Sequence, residues 1–358
     1  MTTRREFLGG SAALLGVAAA GGLAAAPADR RLSILFLGGT GFIGPHQINY
    51  ALERGHRVSM FNRGSRSGIY GDRVEELTGN RDVNIDDGLE ALEGNRTWDV
   101  VVDNSGYVPR HVRDSAALLR GRTGRYVYIS TTSVYDFDKT PSVTHESPLH
   151  AVFPDTEEVN GETYGPLKAE CDLIVQETFG NAATIIRPTV IVGPGDTSDR
   201  FTYWVERFHR GGDIVCPPDP EREAAWIDAR DLSHWLIALA ENDTPGIFNA
   251  AGPASPVNHE QVMYGFRAFT AGPVRLHWPT AALLEEIGFN PPWFWDGNST
   301  RHIDASASVS AGLEYRSLAE TIRDTHDWWN AQSEARRASP RGWPTAAAER
   351  SVLERLAG

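Results

Sequence analysis

Short apolar runs alternate with longer segments of mixed polarity from residue 31 onward. Six of these runs are short and rich in Val, Ile and aromatic residues, which is typical of buried strands. They cover residues 32–37, 58–61, 100–102, 126–130, 183–186 and 247–250. Residues 46–54, 111–119 and 164–178 lie between them and have helical periodicity. The alternation predicts an α/β fold built on a doubly wound parallel sheet.

The alternation loosens after Pro188. Segments at 193–210 and 273–301 are rich in Gly, Pro and Trp and interrupt it, which indicates a smaller C-terminal lobe over the sheet. From about residue 332 the chain is rich in Ala and Arg, and we expect it to end in a helix.

The first residues resemble an export signal. Arg4 and Arg5 precede an apolar run over 12–26, and Ala26-Pro27-Ala28 is a small-residue cleavage site. The run is rich in Gly and Ala and shorter than the roughly 20 strongly apolar residues of a membrane span. We therefore predict a twin-arginine signal peptide at 1–28, with an N-terminal membrane anchor as the alternative. The expected partner is the twin-arginine export machinery, which accepts folded proteins, and the expected location is periplasmic or extracellular.

Charge and composition exclude several classes of function. The net charge is −13, with no basic run after the first residues, which argues against nucleic-acid binding. No later stretch is apolar enough to cross a membrane. The two cysteines, Cys171 and Cys216, are best interpreted as buried and unpaired. The histidines have no paired spacing, so we predict no metal site.

A glycine-rich turn follows the first predicted strand. It reads Gly-Gly-Thr-Gly-Phe-Ile-Gly over 38–44 and opens a helix. In such a turn the first glycine permits the bend, the second lets the backbone approach a pyrophosphate, and the third allows close packing of the helix. The phosphates then lie at the helix N-terminus. The expected dinucleotide contacts are Gly38, Thr40, Gly41, Phe42, Ile43 and Gly44.

The end of the second predicted strand indicates which dinucleotide is bound. An acid there binds the ribose 2′-hydroxyl of NAD, but this chain has Asn62 and Arg63, followed by Ser65 and Arg66. Because arginine can hold a 2′-phosphate, the sequence favours NADP, with NAD as the alternative. The arginines could also be solvated or stack on adenine. Asn62 and Arg63 are expected cofactor contacts, as is Ser105 after the third predicted strand.

Tyr164 and Lys168 share a predicted helix face. Lysine is rare in this chain, since only Lys139 and Lys168 occur, and positions i and i+4 lie side by side on a helix. A nearby ammonium stabilises a phenolate, so we expect Lys168 to lower the pKa of Tyr164 and make it a proton acceptor for a hydroxyl. About 30 positions earlier, a strand runs into the hydroxyl residues 130–133 at the edge where ligands bind.

These motifs, together with Arg-Pro-Thr-Val-Ile-Val-Gly-Pro-Gly at 187–195, resemble the extended short-chain dehydrogenase/reductases. This is the NAD-dependent epimerase/dehydratase group, which includes sugar-nucleotide epimerases, and the resemblance covers about residues 32–329. It implies that Thr131 takes the place of the catalytic Ser/Thr, that Tyr164 is the acid/base, and that Lys168 is its partner. Tyr164, Lys168 and Pro188 would also contact the cofactor.

The resemblance divides the chain into four expected parts. A Rossmann domain that binds NAD(P) would follow the signal peptide. The substrate lobe would be interleaved with the last sheet strands. The signal peptide is 1–28, the Rossmann domain is 29–190, the substrate lobe is 191–330, and a helical tail follows at 331–358.

Two departures from the group bear on the substrate. Sugar-nucleotide dehydratases have Asp and Glu where this chain has Thr132 and Ser133, which argues against a dehydratase. Many epimerases of the group grip the diphosphate with an Arg where alignment puts Ala224, although Arg222 or Arg230 could compensate. A nucleotide-sugar substrate is therefore disfavoured.

The substrate contacts are expected from two segments. They are Thr132, Ser133, Arg200 and Tyr203. A later aromatic group could also suit a hydroxylated ring, although most of these side chains are better interpreted as core of the small lobe; it comprises Trp278, Trp293, Phe294 and Trp295.

Export and a soluble cofactor together favour one kind of reaction. A dehydrogenase needs a cofactor pool, whereas an epimerase re-reduces the substrate that it has oxidised. We therefore expect an exported NAD(P)-dependent epimerase or redox isomerase of a sugar or polyol, with a tightly bound cofactor. The alternatives are a net dehydrogenase or reductase of a carbohydrate-like alcohol and a non-catalytic binding protein. The oligomeric state is not predicted.

Overall fold

The computed structural model describes residues 26–137, 140, 142–270, 272–292 and 302–358. Its strands are β1 Ser33–Leu37, β2 Arg57–Asn62, β3 Val74–Thr78, β4 Trp98–Asp103, β5 Thr123–Ile129, β6 Ser142–Val143, β7 Ala183–Pro188, β8 Val190–Val192, β9 Gly212–Val215, β10 Glu223–Asp228, β11 Gly246–Ala250, β12 Gly252–Asn258, β13 Val274–His277 and β14 His302–Ile303. Its α-helices are α1 Gly44–Glu53, α2 Pro109–Leu119, α3 Tyr164–Phe179, α4 Arg200–Arg210, α5 Ala229–Glu241, α6 His259–Arg267, α7 Ala281–Ile287, α8 Ser306–Ser310, α9 Leu318–Asn330, α10 Glu334–Arg337 and α11 Ala346–Ala357.

A seven-stranded parallel sheet forms the centre of the molecule, in the order β11-β7-β5-β4-β1-β2-β3. This confirms the predicted α/β fold with a doubly wound, Rossmann-like sheet. All six predicted strands are in it. The sequence pattern does not predict β3, because Val-Glu-Glu-Leu-Thr has no apolar run and only Val74 is buried at this edge of the sheet.

Helices cover both faces of the sheet. On one face α1 packs beside α5 over a core that includes Phe36, Ile48 and Trp235. On the other face α2 packs beside α3 over a core that includes Trp98 and Cys171. Cys171 and Cys216 are both buried and unpaired, which confirms their interpretation as small core residues.

A second lobe lies beyond the carboxyl ends of the strands. It contains the three-stranded sheet β12-β10-β8, with α4, α6 and α9 packed around a core in which Trp204 and Phe266 are fully buried. Trp278 packs against this core, whereas Trp293, Phe294 and Trp295 lie outside the described residues. The tail closes on the same lobe, where α11 packs against α7 and β9.

The predicted signal peptide lies almost wholly outside the described residues. At its predicted cleavage site the Ala28 amide donates to the carbonyl oxygen of Arg54 at 2.9 Å. Among the described residues, no helix has both the length and the apolar character needed to cross a membrane.

Candidate active site

A cleft of about 1240 Å³ lies at the carboxyl ends of the sheet strands, between the glycine turn and the second lobe. It brings together nearly all of the predicted site residues. The predicted residues that line it are Gly38, Thr40, Gly41, Phe42, Ile43, Gly44, Asn62, Arg63, Ser105, Thr131, Thr132, Ser133, Tyr164, Lys168, Pro188 and Arg200.

Tyr203 is the exception, and its assignment as a substrate contact is wrong. Its side chain is 2% exposed and packs edge-on against Trp204 and Trp343. Nearly every residue in the first turns of α4 is buried, so this helix belongs to the core of the second lobe and only its first residue, Arg200, faces the cleft.

The glycine turn has the shape that a pyrophosphate needs. Gly38 has a positive φ of 80°, and its amide donates to the carbonyl oxygen of Phe61 at 2.9 Å. A Cβ at Gly44 would lie 2.6 Å from the backbone of Gly39, so the helix start packs tightly on the turn. A Cβ at Gly41 would meet nothing within 4 Å, which leaves its face open to the cleft. No side chain caps α1 at Ile43, so the first amides of this helix can receive an anion.

The end of β2 contributes amide and guanidinium groups to the cleft. The Asn62 side-chain oxygen accepts from the Gly64 amide at 2.6 Å, and its buried nitrogen has no hydrogen-bond partner. Arg66 donates to the carbonyl oxygen of Thr40 at 2.9 Å and so spans the glycine turn. Arg63 is exposed at the rim. This donor-rich end and the open turn fit a dinucleotide.

A buried ion pair supports the floor of the cleft. Two guanidinium nitrogens of Arg81 donate to the two carboxylate oxygens of Asp103, at 2.6 and 3.0 Å. The Tyr126 hydroxyl also donates to this carboxylate, at 2.7 Å. Arg81 donates to Ser105 as well, and the Ser105 hydroxyl donates to the carbonyl oxygen of Leu37. Ser105 is therefore fixed against the glycine turn.

Tyr164 and Thr131 are neighbours in the cleft. Thr131 follows β5, and Tyr164 is the first residue of α3. Burial, and next the neighbouring Tyr107, raise the pKa of the Tyr164 phenol to about 12, although Thr131 and Arg200 act in the opposite direction. The expectation that Lys168 lowers this pKa is therefore not met in this structure, because burial has the largest effect.

Lys168 is buried beneath this pair. Its ammonium donates to the Gly106 carbonyl oxygen at 2.7 Å, the Tyr128 hydroxyl oxygen at 2.6 Å and the Ile129 carbonyl oxygen at 2.7 Å. These three acceptors match its three N–H donors. Burial lowers the pKa of Lys168 to about 8.

The two residues after Thr131 differ in how available their hydroxyl groups are to a substrate. The buried Thr132 hydroxyl donates to the carbonyl oxygen of Pro188 at 3.4 Å, which ties the residue after Thr131 to the end of β7. The Ser133 hydroxyl accepts from Thr131 at 3.2 Å and is half-buried beside Tyr164. Ser133 is thus the better placed of the two for substrate contact.

The second lobe supplies lining residues that the sequence does not predict. Glu223 and Ala225 of β10 face the cleft, whereas Ala224 between them is buried in the lobe core. Among the described residues that line the cleft, neither Arg222 nor Arg230 occurs, and Arg230 pairs with Asp228 and Asp324 instead. Arg341, from the tail, also lines the cleft. Because successive side chains of a strand point to opposite faces, the pattern along β10 could have identified Glu223 as a lining residue. Arg341 belongs to no sequence motif that could have identified it.

Comparison with solved structures shows similar folds at low identity. dTDP-glucose 4,6-dehydratase from Bacillus anthracis, in complex with NAD, has a TM-score of 0.64 and 18% identity, over 86% of this chain and 99% of that chain. WbmG from Bordetella bronchiseptica, in complex with NAD, has a TM-score of 0.62 and 16% identity, over 84% and 95%. UDP-glucuronic acid 4-epimerase from Bacillus cereus, in complex with NAD, has a TM-score of 0.59 and 16% identity, over 83% and 96%.

The sequence itself shows the family. A comparison with curated proteins finds no match. The family model for the NAD dependent epimerase/dehydratase family, however, matches residues 34–251, which is more than half of the chain and includes the glycine turn, Thr131, Tyr164 and Lys168. The chain belongs to the NAD dependent epimerase/dehydratase family.

Proposed function

We propose that this protein is an exported NAD(P)-dependent epimerase or redox isomerase that acts on a sugar or a related polyol. The observation that carries the proposal is the placement of Thr131 and Tyr164 in one cleft, at the same strand ends as the open glycine turn. A hydroxyl group and a phenol placed together are suited to hold the oxygen of a secondary alcohol and to exchange a proton with it.

The roles of the residues follow from this placement. A bound nicotinamide dinucleotide would accept a hydride from a carbinol carbon and return it. Thr131 holds the substrate oxygen, and Tyr164 exchanges a proton with it. Burial raises the pKa of Tyr164 to about 12, so its phenol is protonated at neutral pH and suits the step that returns a proton to the alkoxide. In the step that oxidises the alcohol, Tyr164 has to act as the phenolate and take the hydroxyl proton, which the positive charge of Arg200 favours. Lys168 fixes the segment around Gly106 and the end of β5 beneath them.

The rest of the proposed cofactor site surrounds the same cleft. Residues 38–44, Asn62, Arg63 and Ser105 would hold the dinucleotide, with Pro188 beside the nicotinamide. In this proposal the cofactor is bound by residues 29–190, and the substrate is bound by residues 191–330. The tail at 331–358 closes the substrate lobe. Thr132 and Ser133 provide no carboxylate at the positions where the dehydratases have their acid pair, which argues against a dehydration.

We favour NADP over NAD. At the β2 end of the cleft the lining side chains are Asn62, Arg63, Ser65 and Arg66, and the only carboxylate that lines the cleft among the described residues, Glu223, belongs to the second lobe. A site without an acid and with two guanidinium groups suits a ribose 2′-phosphate. The similar structures were solved with NAD, so the test of this preference is the affinity of the protein for each of the two nucleotides.

The export signal supports a closed redox cycle. An epimerisation has no net consumption of oxidant, so it needs no cytoplasmic pool once the folded, loaded protein has crossed the membrane. Replacing Arg4 and Arg5 together with lysine should leave the protein in the cytoplasm. Export of the double variant at the wild-type level would contradict the twin-arginine assignment.

The decisive experiment identifies the nucleotide that the protein carries. The natively folded mature protein is purified without added cofactor and denatured, and the released nucleotide is identified by mass spectrometry. About one NADP or NAD per chain supports loading before export. A protein without nucleotide that binds added NADP or NAD would favour the net dehydrogenase. A protein that binds neither would favour the non-catalytic alternative.

A further inference from the structure

The cleft is basic although the protein is acidic. The chain has a net charge of −13, yet six cationic side chains and one carboxylate, that of Glu223, line the cleft among the described residues. The cationic residues are Arg63, Arg66, Arg81, Lys168, Arg200 and Arg341. Arg63 and Arg66 lie at the proposed cofactor end, and Arg81 is neutralised by Asp103. Arg200 and Arg341 remain, on the wall of the second lobe.

Arg200 is held in place without an acidic partner. Its Nε donates to the Ser198 hydroxyl oxygen at 2.9 Å, and no carboxylate of the described residues pairs with it. The Ser198 hydroxyl in turn donates to Asp196 at 2.6 Å. The guanidinium of Arg200 is thus oriented by a hydroxyl, and its remaining donors are available to a ligand in the cleft.

Arg341, which belongs to the C-terminal tail, lies on the same wall of the cleft as Arg200. Its guanidinium donates at Nη1 to the carbonyl oxygen of Thr197, the residue next to Ser198, and it too has no carboxylate partner among the described residues. The two guanidinium groups are therefore anchored on adjacent residues of one loop. Because both arginines also line the cleft, an anion bound there can contact both.

Asp199 fixes the tail to this loop. Its fully buried carboxylate accepts from the Arg341 amide at 2.8 Å and also from the Arg336 guanidinium. The Trp343 indole nitrogen donates to the Asp199 carbonyl oxygen at 3.2 Å. Asp199 precedes α4 but does not cap it with its side chain. Its carboxylate instead serves the tail, so the position of Arg341 is built into the fold.

We propose that Arg200 and Arg341 form an anion subsite that binds the carboxylate or phosphate of an acidic sugar substrate. This inference rests on the proposed function and specifies its substrate class. Arg200, Arg341 and Tyr164 line the same cleft, so the anion would be carried by the reacting sugar itself. Guanidinium groups bind both oxyanions through paired hydrogen bonds.

The test compares acidic and neutral sugars on the protein loaded with NADP. D-glucuronate, D-glucose 6-phosphate, D-glucose and UDP-glucose are titrated by calorimetry, and their conversion is followed by NMR. The variants are Arg200→Gln and Arg341→Gln. Arg337→Gln is the matched control, because Arg337 is an exposed tail arginine that does not line the cleft.

The expected result is that at least one of the two acids binds more tightly than D-glucose. Each cleft variant should weaken that binding by roughly 10- to 100-fold, as for a lost charged hydrogen bond, with D-glucose binding unchanged. Arg337→Gln should behave as wild type. A glucuronate preference identifies the carboxylate as the ligand, and a glucose 6-phosphate preference identifies the phosphate.

Two outcomes would overturn the subsite. The first is equal binding of acids and D-glucose, or wild-type acid binding by both cleft variants. The second is Arg341-dependent binding of UDP-glucose that exceeds that of both acids, which would assign the arginines to a nucleotide diphosphate. Arginine-dependent acid binding without conversion of any sugar would uphold the subsite and contradict the proposed function. Conversion of a sugar, together with equal binding of the acids and D-glucose, would contradict the subsite and uphold the proposed function.

Discussion

The Lys168 ammonium donates to the Tyr128 hydroxyl oxygen at 2.6 Å, beneath the cleft. The ammonium also lies 4.1 Å from the centre of the Tyr128 ring. The lysine that the sequence marks as a partner of Tyr164 is thus first a structural link between α3 and β5. Its charge is kept inside the protein by oxygen acceptors and an aromatic face rather than by a carboxylate.

This buried charge predicts a pH dependence of stability. Burial lowers the pKa of Lys168 from 10.5 to about 8, so between these values the unfolded chain binds a proton that the folded chain has lost. The Lys168 contribution to the free energy of unfolding should therefore rise with pH from about 8 to about 10.5. Urea unfolding at several pH values, in wild type and Lys168→Met, measures it as a difference.

The comparison with the variant is needed because other groups act in the opposite direction. Burial raises the pKa of the Cys216 thiol, so the unfolded chain loses this proton first and stability falls as pH rises. Lys168 does not act on Cys216, so this contribution is common to both proteins. Parallel pH profiles for wild type and Lys168→Met would contradict the lowered pKa of Lys168.

Tyr164→Phe should abolish turnover and leave cofactor binding intact. The substitution removes the proton that the phenol exchanges but keeps the ring, and loss of such a group typically costs about 10²- to 10⁴-fold in rate. Tyr264→Phe is the control, because Tyr264 is 49% exposed and does not line the cleft. Turnover by Tyr164→Phe near the wild-type rate would contradict the assignment of Tyr164 as the acid/base.

Two glycines of the turn should respond differently to alanine. A Cβ at Gly41 meets nothing within 4 Å, so Gly41→Ala should fold normally but hinder the approach of a pyrophosphate. A Cβ at Gly44 would lie 2.6 Å from the Gly39 backbone, so Gly44→Ala should lose about 1–3 kcal/mol of unfolding free energy. Cofactor titration and urea unfolding of both variants check this, and equal stability of the two would be the contrary result.

Removing one of the two charges of the Arg81–Asp103 pair should strongly lower the free energy of unfolding. Asp103→Asn leaves a buried guanidinium without its counter-charge, and such losses are about 3–5 kcal/mol. Glu286→Gln is the control, because Glu286 pairs with Arg355 at the surface with both side chains 58% exposed, where the effect is below about 1 kcal/mol. Urea unfolding that gives similar losses for both variants would contradict the structural importance of the buried pair.

Arg63 should discriminate between the two nucleotides. Arg63→Ala is expected to weaken NADP binding by roughly 10-fold or more, through loss of a charged contact to the 2′-phosphate, and to leave NAD binding nearly unchanged. Calorimetry with both nucleotides measures the ratio. Equal effects on NADP and NAD binding would show that Arg63 contacts a group that both nucleotides contain. This result would remove the argument for NADP.

The sheet and most of the cleft could be predicted because their signals are local. An apolar strand, a glycine turn and a helix follow one another within a few residues, and Tyr164 and Lys168 are one helical turn apart. Edge strand β3 was missed because Glu75 and Glu76 interrupt any apolar pattern. Tyr203 was misplaced because no spacing tells which side of α4 faces the cleft.

Arg341 could not be predicted for a different reason. Its contact with Asp199 spans 142 positions, and nothing in the surrounding residues signals that distant neighbour. The same holds for Arg81, which is recognisable as a buried partner of Asp103 only after β3 and β4 are placed in the sheet.

The anchoring of the tail by Asp199 also orders events during translation. All strands of the large sheet have been synthesised once β11 ends at Ala250, so the half that would hold the dinucleotide can form while later residues are still in the ribosome. The wall that carries Arg200 and Arg341 has to wait until the tail emerges and docks. A nascent chain could therefore acquire its nucleotide before it is able to recognise a substrate.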